Sequence, residues 1–238
     1  RDSYKIGPIF TPPVVSKWDG PRGTLMIPDV TGGANWQGGS YDPETKMFYI
    51  FTNVSVTTLG LLPPEAGRSD MLYVRGAARN PNPAPPTPGA PPAGGGGLNV
   101  QGLPLIKPPY ATITALDMKT ATQSWRIAHG DTADNIKNHP ALKGLTLPRL
   151  GRQGRIGVLA TKTLLIAGEG GFATTPQGRG AMLRAYNKAT GAEVGAVYMP
   201  APQTGSPMTY SVNGTQYIAV AVSGPGFAGE LLVYKLGT

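Results

Sequence analysis

Ala115-Leu116-Asp117-Met118-Lys119-Thr120-Ala121-Thr122-Gln123-Ser124-Trp125 returns, altered but in step, as Ala185-Tyr186-Asn187-Lys188-Ala189-Thr190-Gly191-Ala192-Glu193-Val194-Gly195. The offset is 70 residues at Ala115/Ala185, Asp117/Asn187 and Thr120/Thr190 alike. Each copy reads as a strand, a turn and a second strand. Asp117 and Asn187 suit the turn, because a short polar side chain can bond the backbone two residues on. Each copy also follows an earlier hairpin pattern. Residues 40–52 carry Asp42-Pro43 between alternating runs, and residues 157–168 have the same form. Residues 207–220 turn on Asn213-Gly214, a strong short-range hairpin signal. Hairpin followed by hairpin gives blade-like units at 40–128, 156–199 and 207–236. Four antiparallel strands recurring in this way are the pattern of a β-propeller. The predicted fold class is therefore all-β, a partial β-propeller of about three four-stranded antiparallel blades, with 1–238 forming one portion of a single propeller domain.

Composition agrees and excludes other classes. Of 238 residues, 34 are Gly and 25 Pro, a quarter of the chain, where average usage gives about 12%. Charged residues make up 14%, against about 25% in ordinary soluble domains. Helical bundles and coiled coils need repeated long stretches free of Gly and Pro, whereas Gly and Pro punctuate nearly all of this chain. Disorder throughout is excluded by the 40% of apolar residues, many of them alternating with polar ones. The net charge of +8 is spread over scattered Lys and Arg, with no run of five, so it reads as a solvated basic surface and not a nucleic-acid footprint. The absence of Cys excludes disulfides and thiolate chemistry. No apolar run reaches the roughly 18 residues of a membrane span.

One tract stands apart. Pro81 to Gly97 holds seven Pro and five Gly and ends in Gly94-Gly95-Gly96-Gly97. Such a stretch cannot bury enough apolar surface to offset its ordering entropy. Residues 78–109 are therefore predicted to be a surface excursion that swells the first unit. The Gly run lacks the following Lys-Ser/Thr and the helix of a phosphate loop. At the other end, the third unit shows three strands and stops after Leu231-Leu232-Val233-Tyr234-Lys235-Leu236. A propeller ring needs at least about four blades, and an unpaired edge is a liability. The chain also opens Arg1-Asp2-Ser3-Tyr4, with neither an initiator Met nor a signal-peptide pattern. The expectation is a processed chain or a piece of a longer one, completed by a missing N-terminal propeller portion or by a second chain.

At this point several motifs, in order, resemble a known family. They are Gly7-Pro8-Ile9-Phe10-Thr11-Pro12-Pro13, Gly23-Thr24-Leu25-Met26-Ile27-Pro28, and Gly32-Gly33-Ala34-Asn35-Trp36-Gln37-Gly38-Gly39 followed by Tyr41-Asp42-Pro43-Glu44-Thr45. Ser206-Pro207-Met208-Thr209-Tyr210 with Gln216-Tyr217-Ile218-Ala219-Val220-Ala221 is similar to a closing blade. The sequence resembles the quinoprotein dehydrogenases, pyrroloquinoline quinone (PQQ) enzymes with an eight-bladed propeller, and is nearest to the membrane glucose dehydrogenase-like branch. Residues 115–125 are similar to that family's Ala-x-Asp-x-x-Thr-Gly-x-x-x-Trp docking motif, with Ala121 in place of the glycine. In residues 185–195, Asn187 replaces the acid and Gly195 the tryptophan.

The resemblance implies the C-terminal part of a PQQ-dependent dehydrogenase that oxidises an alcohol or sugar by hydride transfer to the quinone. It further implies a calcium ion beneath the quinone, a periplasmic location, and onward electron transfer to ubiquinone or a cytochrome. The family's catalytic base, calcium ligands and basic residue near the quinone come from earlier blades, so none is assigned to this chain. What matches is the Gly-Gly-x-Asn/Glu-Trp element. By resemblance Asn35 would hydrogen-bond the quinone oxygens and Trp36 would line the ring; a core tryptophan at a blade top is the competing reading. An amide donor suits the negative charge that grows on a reduced quinone, and an indole offers a flat apolar wall. The alternative for the whole chain is a cofactor-free propeller acting as a binding or assembly scaffold.

Other candidates carry less. Gly224-Pro225-Gly226-Phe227-Ala228-Gly229 stands where the glucose dehydrogenase branch has Gly-Gly-His-Gly. Proline in the histidine's place removes a donor and favours a tight inter-strand loop. Arg149, Arg152 and Arg155 read as a solvated loop, or else as forks facing the carboxylates of an anion such as PQQ. His129 and His139 lack acidic neighbours at ligand spacing, so they do not form a zinc set. Gly168-Glu169-Gly170-Gly171 leads to no helix and fails as a dinucleotide loop. Glu169, at a strand end, is the acid to test for catalysis or calcium contact.

Overall fold

The computed structural model describes residues 2–28, 30, 32–82 and 98–237. Residues 83–97, the bulk of the Pro/Gly tract, lie outside that set, and with them the middle of the excursion expected over residues 78–109. In chain order the strands begin with β1 (Val14–Val15), β2 (Thr24–Met26), β3 (Gly39–Asp42), β4 (Met47–Asn53), β5 (Thr57–Leu62) and β6 (Val74–Arg75). Next come β7 (Asn99–Val100), β8 (Leu103–Pro104), β9 (Ala111–Asp117) and β10 (Thr122–Ala128). A one-turn helix α1 (Asp134–Lys137) and a 3-10 turn at Pro140–Leu142 follow. The chain then forms β11 (Leu159–Ala160), β12 (Leu164–Gly168), β13 (Ala173–Thr175), β14 (Gly178–Asn187) and β15 (Glu193–Met199). It closes with β16 (Met208–Val212), β17 (Thr215–Gly224) and β18 (Phe227–Lys235). The all-β expectation holds. Among the described residues no helix is long and apolar enough to cross a membrane.

The strands pack as two units, Arg1–Gly32 with Ser55–Ile106, and Gly33–Val54 with Lys107–Thr238. In the first, β5 is central, pairing parallel with β1 (Val14↔Gly60) and antiparallel with β2 (Thr24↔Leu59), while β6 adds to its far end. This sheet was not anticipated from the sequence, because its strands are two to six residues long and its central strand, β5, follows β2 only after β3 and β4, which belong to another sheet. β7 and β8 form a separate two-stranded hairpin.

The second unit contains three larger sheets. The first has the order β10-β9-β4-β3, and the second β11-β12-β14-β15 with β13 folded onto the start of β14. The third is β16-β17-β18. Local chemistry sets the turns. Asp42 accepts the Glu44 N–H at 3.0 Å and the Thr45 hydroxyl at 2.7 Å. Asp117 accepts the Lys119 N–H at 2.8 Å and Asn187 the Ala189 N–H at 2.9 Å, the same turn 70 residues apart. Asn213 and Gly214 both take positive φ, 49° and 77°, as a two-residue hairpin requires.

Period-two alternation then builds two cores from one strand. Leu165 and Ala167 of β12 face one side, where they meet Tyr49, Phe51, Ile113 and Ala115 of the first sheet. Ile166 faces the other side with Leu183 and Ala181, against Ile218, Val220 and Val222 of the third. The second sheet is buried on both faces, which is why β12 reads as an unbroken apolar run.

Trp125 ties the first sheet to the second. Its ring lies 5.8 Å from that of Tyr49, and its Nε1–H donates to the Lys188 carbonyl at 3.2 Å. A Cβ added to Gly191 would come within 2.8 Å of Trp125 Cε3, and Gly191 has φ +74°. Glycine is required there twice over, for the turn and for the indole. Beside it a buried Lys188–Asp42 pair at 2.5 Å joins the same two sheets. The Lys188 ammonium, with the Thr45 hydroxyl, holds the Asp42 carboxyl well below the usual carboxylate range.

Candidate functional site

Antiparallel pairing puts the loops before β3, β11 and β16 at the same end of the sheets as the loops after β4, β12 and β17. There they are tied together by side-chain amides and hydroxyls. Asn53 Nδ2–H donates to the Gly154 carbonyl at 2.8 Å and Oδ1 accepts the Gly154 N–H at 2.9 Å. The Ser206 hydroxyl donates to the Gln37 carbonyl at 3.1 Å. Gln203 is buried; its Oε1 accepts the Gly168 N–H at 2.5 Å, and its Nε2 donates to the carbonyls of Gly157 at 2.9 Å and Gly205 at 2.8 Å. These ties shape a cleft of about 580 Å³, with Gln37, Arg155, Gly170, Phe172, Thr204 and Gly224 in its walls. At its base Gly154 and Gly170 meet backbone to backbone, and a Cβ on either would strike the other's Cα.

Asn35 and Trp36 sit on the loop that ends at this wall. Asn35 Oδ1 accepts the Trp36 N–H at 2.7 Å, and the Gly38 N–H donates to the Asn35 carbonyl at 2.8 Å. This tight turn throws the indole outward, leaving Trp36 97% exposed. Within this chain it is not a core tryptophan.

The three arginines separate, which corrects the reading of one solvated row. Arg155 is exposed in the cleft wall. Arg152 is buried and caps backbone, donating from Nη1 to the Phe172 carbonyl and from Nη2 to the Thr132 carbonyl at 3.0 Å. Arg149 bridges Glu193 at 2.5 Å and Asp131 at 3.4 Å. Residues 149–154 form no regular element, so a spacing of three does not put side chains on a common face.

Glu169 is 0% exposed. Arg184 donates to its Oε1 from Nε at 3.0 Å and Nη2 at 2.8 Å. The N–H groups of Asp131 and Met182 add 2.8 Å and 3.2 Å bonds. Arg184 also pairs with Asp131 and Glu193, each at 2.9 Å. Burial opposes its charge, but the three carboxylates outweigh that and hold its pKa above the usual arginine value. Every strong acceptor of Glu169 is thus engaged inside the protein, and the acid does not face the cleft. Among the described residues, no three His, Cys, Asp or Glu side chains gather closely enough to hold a metal ion.

His129 is likewise internal, with Nδ1 2.8 Å from the Tyr186 hydroxyl and Nε2 3.0 Å from the Gly168 carbonyl. A carbonyl only accepts, so Nε2 carries the proton and Nδ1 accepts from Tyr186. Burial pushes the His129 pKa down to about 4. Gly224 and Phe227 flank the tight β17–β18 turn, with Gly226 at φ +76°. Proline followed by a positive-φ glycine is the composition of a type II turn. Sequence reasoning missed Arg184, Gln203 and Asn53. Arg184 carried one faint signal, a charge between Leu183 and Ala185 in an apolar strand; Gln203 and Asn53 carried none.

The family model for "PQQ: Glucose/ethanol/alcohol dehydrogenase, beta-propeller domain" matches residues 1–218. The chain belongs to this family of quinoprotein dehydrogenase propellers. It is 28% identical over 209 residues to a probable quinate dehydrogenase (quinone) of Xanthomonas campestris pv. juglandis, covering 84% of this chain and 25% of that protein. It is also 28% identical over 228 residues to the quinoprotein glucose dehydrogenase of Escherichia coli, covering 93% of this chain and 26% of the relative. To the glycerol dehydrogenase large subunit of Gluconobacter thailandicus it is 29% identical, covering 95% and 31%. The chain therefore spans about a quarter to a third of the length of these relatives. A quinohemoprotein alcohol dehydrogenase of Pseudomonas putida HK5 superimposes with a TM-score of 0.51 at 18% identity, covering 89% of this chain and 25% of that one, a likeness of fold.

Proposed function

We propose that this chain forms the C-terminal part of a PQQ-dependent dehydrogenase that oxidises an alcohol or sugar. The observation that carries the reading is the convergence of five glycine-rich loops on one cleft, beside a fully exposed tryptophan. The residues present fit the cofactor. The Gly154–Gly170 contact, too close for a Cβ on either residue, packs two of the lining loops against each other, and Arg155 in the cleft wall supplies a fork suited to a carboxylate. Trp36 would lie against the ring. Asn35, whose Oδ1 is committed to its neighbour, would donate from its amide nitrogen to the quinone oxygens. Bound PQQ supplies an electrophilic quinone that takes two electrons and a hydrogen from the carbinol carbon, while the hydroxyl proton leaves to a base. Quinate, glucose and glycerol, the compounds in the relatives' names, all carry such a hydroxyl. The base and a calcium ion would come from outside this chain, from an N-terminal propeller portion. The same proposal includes a periplasmic location and electron transfer to a quinone or cytochrome, and likeness to the quinoprotein dehydrogenases supports it.

The test is reconstitution of the intact protein with PQQ and calcium. Quinone absorbance that titrates to saturation, with dye reduction by an alcohol, aldose or quinate, is the expected result. Trp36→Ala and Asn35→Ala should weaken PQQ binding at least about tenfold, the loss of one good contact. No bound quinone and no dye reduction across that panel would overturn the reading in favour of a cofactor-free scaffold.

A further inference from the structure

Trp125 and Gly195 occupy the same place in successive sheets. Each is the last-strand residue opposite an alanine, Trp125↔Ala115 and Gly195↔Ala185, and each pairing lies beside a break in the strand register. Between the first and second sheets that place is filled by indole. Between the second and third it is empty: a Cβ built on Gly195 meets nothing within 4 Å. A groove of about 520 Å³ results, walled by Leu164, Ile166, Leu183, Ile218, Tyr234 and Leu236. Its volume lies in the range of small-molecule pockets, and it opens between the second and third sheets, which pack face to face. It lies toward Thr161–Leu164, where β12 begins, whereas the cleft described above lies past Gly168, where β12 ends.

We propose that this groove binds a planar fused-ring aromatic molecule of indole size, seated where the docking tryptophan is missing. The neighbouring interface supplies the template, since the sheet-on-sheet gap there accommodates an indole tilted 37° against the Tyr49 ring and set on a glycine turn. The second gap has kept the apolar walls and lost the side chain that fills them. A flat fused ring matches the indole that fills the neighbouring gap more closely than a puckered aliphatic ring of equal size does. The site is independent of the quinone reading and stands or falls separately from it.

The test is titration of the intact protein with indole, followed by calorimetry and by ligand-observed magnetic resonance. Saturable binding at one site is expected, with a dissociation constant on the order of 1 mM or tighter for so small a ligand. Cyclohexanol should bind at least about tenfold more weakly, and Gly195→Trp should abolish the indole site. Should that variant not fold, contacts from indole to the methyl groups of Leu164 and Ile218 in the unmodified protein decide the matter. Absence of saturable indole binding, equal binding by Gly195→Trp, or no contacts to those methyls would overturn the proposal.

Discussion

Replacing Glu169 by Gln separates a buried clamp from a reacting acid. Glu169 Oε1 accepts from the Asp131 N–H at 2.8 Å and twice from Arg184, at 3.0 and 2.8 Å, while Oε2 accepts the Met182 N–H at 3.2 Å. Glutamine preserves the shape, and its carbonyl can keep the first three bonds. Its NH₂ then faces the Met182 N–H, donor against donor. Hydrogen bonds to charged groups are worth about 1.5–3 kcal/mol and neutral ones about 0.5–1.5. The two Arg184 bonds should each weaken by about 1 kcal/mol, and the orphaned amide costs about 1–2 more. Asp131 and Glu193 still neutralise Arg184, which keeps the total from exceeding the 3–5 kcal/mol typical of a broken buried pair. A local loss of about 3 kcal/mol follows, and each 1.36 kcal/mol is a factor of ten. Hydrogen exchange on the intact protein should therefore show the amides of Asp131 and Met182 opening about 100-fold more readily. Unchanged protection at both amides together with lost turnover would refute the clamp and make Glu169 a reacting group.

Two further outcomes follow from the core. Trp125→Ala removes a partly buried indole and its bond to the Lys188 carbonyl, so it should destabilise the fold by about 2–4 kcal/mol, just under the range for a fully buried Trp, read as a lowered denaturation midpoint. Burial holds the His129 pKa at about 4, against an ordinary histidine value of 6.5, so between those values the unfolded state binds more protons. Its contribution is complete above about pH 6.5 and is lost as the pH falls toward 4, a decline on the order of 3 kcal/mol. His129→Phe should flatten that segment of the stability profile, and an unchanged slope would show that another group titrates there.

Much of the fold was legible because its rules are local. Asp42, Asp117, Asn187 and Asn213-Gly214 mark turns by bonding or bending backbone within three residues, and the hairpin form of residues 157–168 was readable in the same way; that β12 is buried on both faces was not. The sheet of β1, β2, β5 and β6 escaped notice because two-residue strands carry no period. The cleft was only half visible. Residues 35–37 and 224–225 stood out by motif, whereas Gln203, Asn53 and the separation of the three arginines were invisible.

By itself the sequence determined the all-β class, the 70-residue recurrence and the family likeness. Tertiary structure alone decided what each polar residue does. Lys188 finds Asp42 across 146 positions, Asn53 finds Gly154 across 101, and Arg184 draws Glu169 out of any solvent-facing role. No window of sequence encodes those pairings, because they are set when sheets stack and bring distant loops to one end. The same stacking turned a missing indole at Gly195 into a groove, since an absent side chain leaves a space only where a neighbouring sheet stands opposite it.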